Sequence, residues 1–165
     1  EPGKAIARID GLGWSTDLRE ALNAKASDGE TPIRLRTAAA EVLRSWPAMR
    51  DIEGVVSVRS LTRPLLVDHL ARGLAQYLGK PFIGTIGPVA DEPPTRHDVN
   101  SAMRLAAVSR RLQLELSPGA LGGLPGRKIL LIDDYTESGW TLTVAARLLR
   151  KAGASEVYPF VPAQY

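Results

Sequence analysis

Two adjacent aspartates, Asp133 and Asp134, follow the apolar run Ile129-Leu130-Leu131-Ile132 and precede the stretch Tyr135-Thr136-Glu137-Ser138-Gly139-Trp140-Thr141. Paired carboxylates can hold the hydroxyls of a polyol or a hydrated divalent cation. The stretch after them suits a different charge. Gly139 permits a tight backbone path, and the first amides of a helix starting near Thr141 have no partner inside that helix. With the positive end of the helix dipole, those amides make a cradle for phosphate, to which Ser138, Thr141 and Thr136 can add hydroxyl donors. A phosphate in the turn and a polyol or Mg²⁺ at the two acids would together hold a ribose 5-phosphate.

The elements around these residues must place them side by side. Four consecutive apolar residues without alternation predict a central strand covered on both faces, as parallel sheets require. Asp133 and Asp134 then fall at its carboxyl end, where open α/β sheets place their ligands. Leu142 to Arg150 continues as an amphipathic helix. A plain structural alternative has the acids closing a strand and Ser138 capping a helix; the joint occurrence of strand, acids, glycine turn and helix favours a ligand site. Other phosphate fingerprints fail on spacing. No Gly-x-x-x-x-Gly-Lys-Ser/Thr occurs, and no Gly-x-Gly-x-x-Gly follows a strand. A receiver domain would carry its acidic pair near its start, whereas this pair comes near the end.

The length of 165 residues suits one domain with a full core. With 44% hydrophobic and 24% charged residues, the composition is that of a globular protein, not a disordered one. The absence of cysteine excludes disulfides and thiolate metal sites and fits a cytoplasmic setting. No apolar run reaches membrane-spanning length, and the first residues do not read as a signal peptide. A start at Glu1 rather than Met reads as a fragment of a longer chain. The net charge of +3 is spread out, with Arg110-Arg111 and Arg150-Lys151 on or after helices, which reads as a solvated basic surface. His97 has no cysteine or histidine neighbour and so does not suggest a metal, and His69 lies on the polar side of its helix with no special role.

In chain order, Lys4–Ile9 is expected as a short edge strand. Asp17 with Glu20 forms a capping box for a short helix, and residues 25–32 read as a polar loop. Thr37 is placed as the cap of a second helix that Pro47 ends. Residues 1–50 thus read as a small α-rich subdomain and residues 51–165 as the core. Val55–Val58 is the first core strand, followed by a helix from Leu65 to Leu78 with Thr62 as cap, Pro64 in its first turn and Gly79 as its stop. Phe82–Ile86 completes a βαβ unit. Arg59, Ser60 and Arg63, at the start of that helix, suit an anion. A Pro- and acid-rich loop over 87–99 leads to a helix capped by Asn100, with Leu105 and Leu112 on one face. Residues 116–126 read as a connector, and Glu156–Val161 as a last strand in which Pro159 argues for an edge.

The order of apolar strand, Asp133-Asp134, Glu137-Ser138-Gly139 and Thr141 resembles the phosphoribosyl-diphosphate (PRPP) fingerprint of the type I phosphoribosyltransferases. The resemblance implies a three-layer α/β fold, a mostly parallel sheet flanked by helices, with a small N-terminal hood. By it, Asp133 and Asp134 would hold the ribose 2′- and 3′-hydroxyls and meet Mg²⁺ indirectly, through the substrate. Thr136, Glu137, Ser138, Gly139, Trp140 and Thr141 would wrap the 5′-phosphate. Arg59, Ser60 and Arg63 would form the pyrophosphate loop, with Arg96 and Arg104 on a flexible loop able to reach diphosphate oxygens. Glu137 would be the candidate general base for phosphoribosyl transfer to a base with release of diphosphate. Lys4-Ala5-Ile6-Ala7-Arg8 with Leu12-Gly13-Trp14, Thr62-Arg63-Pro64, Asn100-Ser101-Ala102 with Arg104, and Ser138-Gly139-Trp140-Thr141 together look like one branch of this family. It is the phosphoribosyltransferase-like domain at the C-terminus of RecQ-type DNA helicases, which implies a DNA-repair setting and a DNA partner through the parent helicase. The alternative reading is a non-catalytic module that senses a nucleotide or contacts DNA or the helicase core.

Overall fold

A computed structural model describes residues 2–8, 13, 15–22, 28–88, 112–118, 123–136 and 139–164. Among them, strands β1 (Lys4–Arg8), β2 (Gly54–Val58), β3 (Phe82–Pro88), β4 (Leu112–Leu116), β5 (Lys128–Ile132), β6 (Tyr135–Thr136) and β7 (Glu156–Gln164) form one sheet. Its order is β1-β7-β5-β2-β3-β4, with the short β6 also paired to β7. Every pairing is parallel except β3 with β4. Helices α1 (Ser15–Ala21), α2 (Ile33–Arg44), α3 (Pro64–Leu78) and α4 (Trp140–Lys151) accompany it.

The run without alternation at residues 129–132 has a physical explanation in the layering. Leu130 and Ile132 pack with Leu43, Leu70 and Leu74 of α2 and α3, together with Tyr158 and Phe160. Ile129 and Leu131 pack on the opposite face with Leu142, Ala145 and Leu149 of α4. Both faces are buried, so both sets of side chains must be apolar. β5 lies between β2 and β7, in the middle of the sheet. The chain therefore has the expected α/β architecture, a mostly parallel sheet between helical layers. The first residues join it through β1, which pairs with β7 as an edge strand, and through Leu18, Leu35 and Ala163, which pack together.

Several local expectations are corrected. Asp17 lies inside α1 and pairs with Arg34 at 2.8 Å instead of capping. Thr37 lies inside α2, where its hydroxyl donates to the Ile33 carbonyl at 2.9 Å, a bond available mid-helix. Thr62 does not cap α3; the Leu65 and Leu66 amides donate instead to Asp28. Gly79 does end α3, with φ of 64°. Leu112 belongs to β4, not to a helix face, and β4 extends through Leu116 into the stretch expected as connector. The helix expected after Asn100 lies otherwise outside the described residues.

Pro159 sits inside β7 between two partners, not at an edge. Phe160 turns its carbonyl toward β5, accepting the Asp133 N–H at 3.1 Å, so the adjacent Pro159 faces β1. Pairing on that side begins at Lys4 opposite Phe160, past the point where an N–H on Pro159 would be needed.

Candidate functional site

The site is built where β5 ends. Asp133 extends the ladder by one bond to Phe160, and the chain then turns on its own side chains. The Asp134 amide donates to Asp133 Oδ1 at 2.9 Å, and the Tyr135 amide donates to Asp134 Oδ1 at 2.8 Å. Both acids are buried, 5% and 6% exposed, although they are charged residue types. Such burial calls for hydrogen-bonded partners. Asp134 has one from across the sheet: Ser60 Oγ, in the turn after β2, donates to Asp134 Oδ2 at 2.7 Å. The sequence-predicted acid pair and the sequence-predicted Ser60 are thus brought together, over 74 residues of chain.

Electrostatics set Asp133 apart. Burial, and secondarily the neighbouring Asp134 carboxylate, raise the Asp133 pKa well above the ordinary carboxylate range. A buried acid in this state gains from a ligand that brings hydroxyl donors or a cation. Perturbed carboxylates of this kind gather at functional sites.

After the acids, β6 staples the chain to the end of β7, with Tyr135 opposite Ala163 and Thr136 opposite Gln164. Gly139 then adopts φ of 71°, a left-handed conformation that glycine takes without steric cost, and α4 starts at Trp140. The first intrahelical bond is Thr143 N–H to the Gly139 carbonyl, 2.9 Å. The amides of Trp140, Thr141 and Leu142 precede it and have no helix carbonyl to bond. No acidic residue stands in the first turn of α4. Acid pair, glycine turn and helix N-terminus are therefore consecutive at the carboxyl edge of the sheet. Glu137 and Ser138, expected in this turn, lie outside the described residues, as do Arg96 and Arg104.

The three residues expected in the first turn diverge. Ser60 faces Asp134. Arg63 is buried at the start of α3, whereas Arg59 points to β4 and pairs with Glu115 at 2.7 Å. Sequence reasoning missed Asp28 and Glu115, and no local signal could have found them: each meets its partner only through the tertiary fold. His69, given no role from sequence, accepts the Thr31 N–H at Nδ1, 3.1 Å away. Among the described residues no three His, Cys, Asp or Glu side chains form a group that could hold a metal ion. Asp133 and Asp134 are oxygen donors of the kind Mg²⁺ accepts, but two carboxylates alone do not close a metal site. A cavity of about 800 Å³ adjoins the turn through Thr136 and Gly139 and runs along Leu142, Ala146, Val157 and Val161. It borders the turn but not the acid pair. No helix among the described residues is long and apolar enough to cross a membrane.

No family model matches the chain. Ribose-phosphate pyrophosphokinase 1 of Lactococcus lactis is 29% identical over 105 residues, covering 56% of this chain and 32% of that protein. The chain thus spans about a third or less of the length of the curated relatives it matches first. Among solved structures, a purine phosphoribosyltransferase from Pyrococcus horikoshii superimposes with a TM-score of 0.50 at 17% identity, over 80% of this chain and 81% of that one. An adenine phosphoribosyltransferase gives 0.51 at 13% identity, over 81% and 72%. Strand order, the acids at the end of β5 and these superpositions define the class: the chain has the type I phosphoribosyltransferase fold.

Proposed function

We propose that this chain binds the ribose 5-phosphate end of PRPP or a nucleotide. Asp133 and Asp134 take the ribose hydroxyls, and the turn of Thr136, Glu137, Ser138, Gly139, Trp140 and Thr141 takes the 5′-phosphate. The observation that carries this reading is the buried acid pair at the end of β5, followed at once by the glycine turn and the N-terminus of α4. An uncharged polyol alone would not need the helix end, and a phosphate alone would not need two carboxylates.

In the full reading the domain is of phosphoribosyltransferase type. Displacement of diphosphate from C1 of the ribose passes through an oxocarbenium-like state, so the protein contributes positioning and charge stabilisation. Glu137 is the general base toward the incoming nucleobase; Arg59, Ser60 and Arg63, with Arg96 and Arg104, belong to the diphosphate side. Asp133 and Asp134 would meet Mg²⁺ through the substrate, and the ion would supply positive charge for the departing diphosphate. Residues 1–50 act as the hood and residues 51–165 as the core. The parent chain is a cytoplasmic RecQ-like DNA helicase, through which the domain meets DNA in repair; the motifs around Trp14, Asn100 and Trp140 support that placement.

Calorimetric titration of PRPP with Mg²⁺ into the wild type and into Asp133→Asn/Asp134→Asn tests the reading. Micromolar binding that the double variant loses is expected. Equal binding by both proteins would move the ligand away from the acid pair.

A further inference from the structure

We propose that the turn between β2 and α3 is held closed to diphosphate by the chain's own oxygens. In consequence, the resting protein recognises a 5′-phosphorylated ribose and gains no affinity from a 1-diphosphate, so ribose 5-phosphate or a nucleoside 5′-monophosphate binds as well as PRPP. This inference rests on the ribose-phosphate reading above and narrows it.

An anion can bind at this turn only through the donors the turn offers. Helix α3 opens with Pro64, which has no N–H. The next two amides, Leu65 and Leu66, donate to Asp28 Oδ2 at 2.8 Å and Oδ1 at 3.1 Å. Just upstream, the Thr62 and Arg63 amides both donate to Ser60 Oγ, at 3.3 Å and 3.0 Å. The Ser60 proton is itself given to Asp134. Arg59 is paired with Glu115. Each of these groups already has a partner within the chain, the Arg59–Glu115 pair at the surface. Asp28 does more than occupy two donors. Its carboxylate sits at the positive end of α3, where it is itself stabilised and where a second anion would meet like charge.

The segment bearing Asp28 is tied down rather than draped. Thr31 Oγ1 donates to the Leu66 carbonyl at 2.8 Å, and the Thr31 N–H donates to His69 Nδ1. Residues 28–31 therefore lie along the first turns of α3. The start of α4 is built differently, since its first turn carries no acid and its first amides have no helix carbonyl. One anion turn of the fold is filled from within, while the other keeps the chemistry of a phosphate cradle. Ser60 couples the two halves, because a diphosphate that takes the Thr62 and Arg63 amides must displace the same hydroxyl that holds Asp134.

The test is calorimetry on the whole chain with ribose 5-phosphate and with PRPP plus Mg²⁺, for wild type, Asp28→Ala and Ser60→Ala. Wild type is expected to bind the two ligands within about twofold of each other, and Asp28→Ala to tighten PRPP by roughly tenfold while leaving ribose 5-phosphate unchanged. Ser60→Ala should shift the ratio of the two affinities the same way. Should Asp28→Ala fail to fold, Asp28→Asn keeps a capping oxygen without the charge, and a smaller shift of the ratio toward PRPP is expected. Wild type binding PRPP roughly tenfold more tightly than ribose 5-phosphate would overturn the closure but leave the ribose-phosphate site standing. Unchanged ratios in the variants would do the same. Binding of neither ligand to wild type would overturn both.

Discussion

Asp133 is held in a setting that works against its own charge. It is buried beside Asp134, and its pKa is raised above the ordinary value by desolvation first and by that neighbour second. An acid whose folded pKa exceeds its unfolded value binds more protons when folded. Stability is then greatest below about pH 4 for this group, falls as pH rises toward the raised value, and levels off above it. Asp133→Asn removes the burden, so it should raise Tm at neutral pH, by about 2–4 °C per kcal/mol relieved, while ligand binding is lost. Thermal melts from pH 4 to 8 check this: the gain should be larger at pH 7 than at pH 4, and a variant less stable than wild type at pH 7 would contradict it. Gly139 is the other residue whose type is dictated. With φ of 71°, a Cβ there costs about 1–2 kcal/mol, so Gly139→Ala should lower Tm as well as weaken phosphate binding. These residues were legible in the sequence because their chemistry and spacing are local. The Ser60–Asp134 bond was not, since nothing in either neighbourhood encodes a contact 74 residues away.

Helix starts and close strand pairs carry the next set of consequences. Asp28 replaces the expected Thr62 as the cap of α3, so Asp28→Ala should cost about 1 kcal/mol of stability, the size of a lost N-cap. Urea unfolding checks it, and Thr62→Ala should cost less than Asp28→Ala. Between β3 and β4 the backbones approach so closely that a Cβ on Gly84 would stand 2.3 Å from the Glu115 carbonyl oxygen. Gly84→Ala should therefore destabilise by about 2 kcal/mol or more, the range in which strands must separate or shift; a neutral effect would show that β4 moves freely. Strand β4 also shows why part of the fold escaped the sequence reading. Leu112, Leu114 and Leu116 alternate with Gln113 and Glu115, a strand pattern, yet Leu112 also continues a helical spacing from upstream, and the two periods compete over so short a stretch. The central strands posed no such conflict, because burial on both faces leaves only one reading of residues 129–132.

The chain as a whole divides its work across the sheet. Two apolar layers fix β5 and β2 side by side, which brings the end of one strand, with its acids, against the turn of the other, with Ser60. That adjacency is what the parallel order β7-β5-β2-β3 achieves, built from strands that the sequence shows as separate apolar runs. The strap from residues 28–31 lies outside that logic, set by packing of the first residues on α3, and so only the folded chain reveals it. The most direct test of the central claim is an amide spectrum of the ¹⁵N-labelled protein titrated with ribose 5-phosphate. Saturable shifts concentrated at residues 133–136 and 139–143, with Ser60 responding through Asp134, are the predicted result. Shifts confined to other parts of the sheet, or none at millimolar ligand, would contradict it.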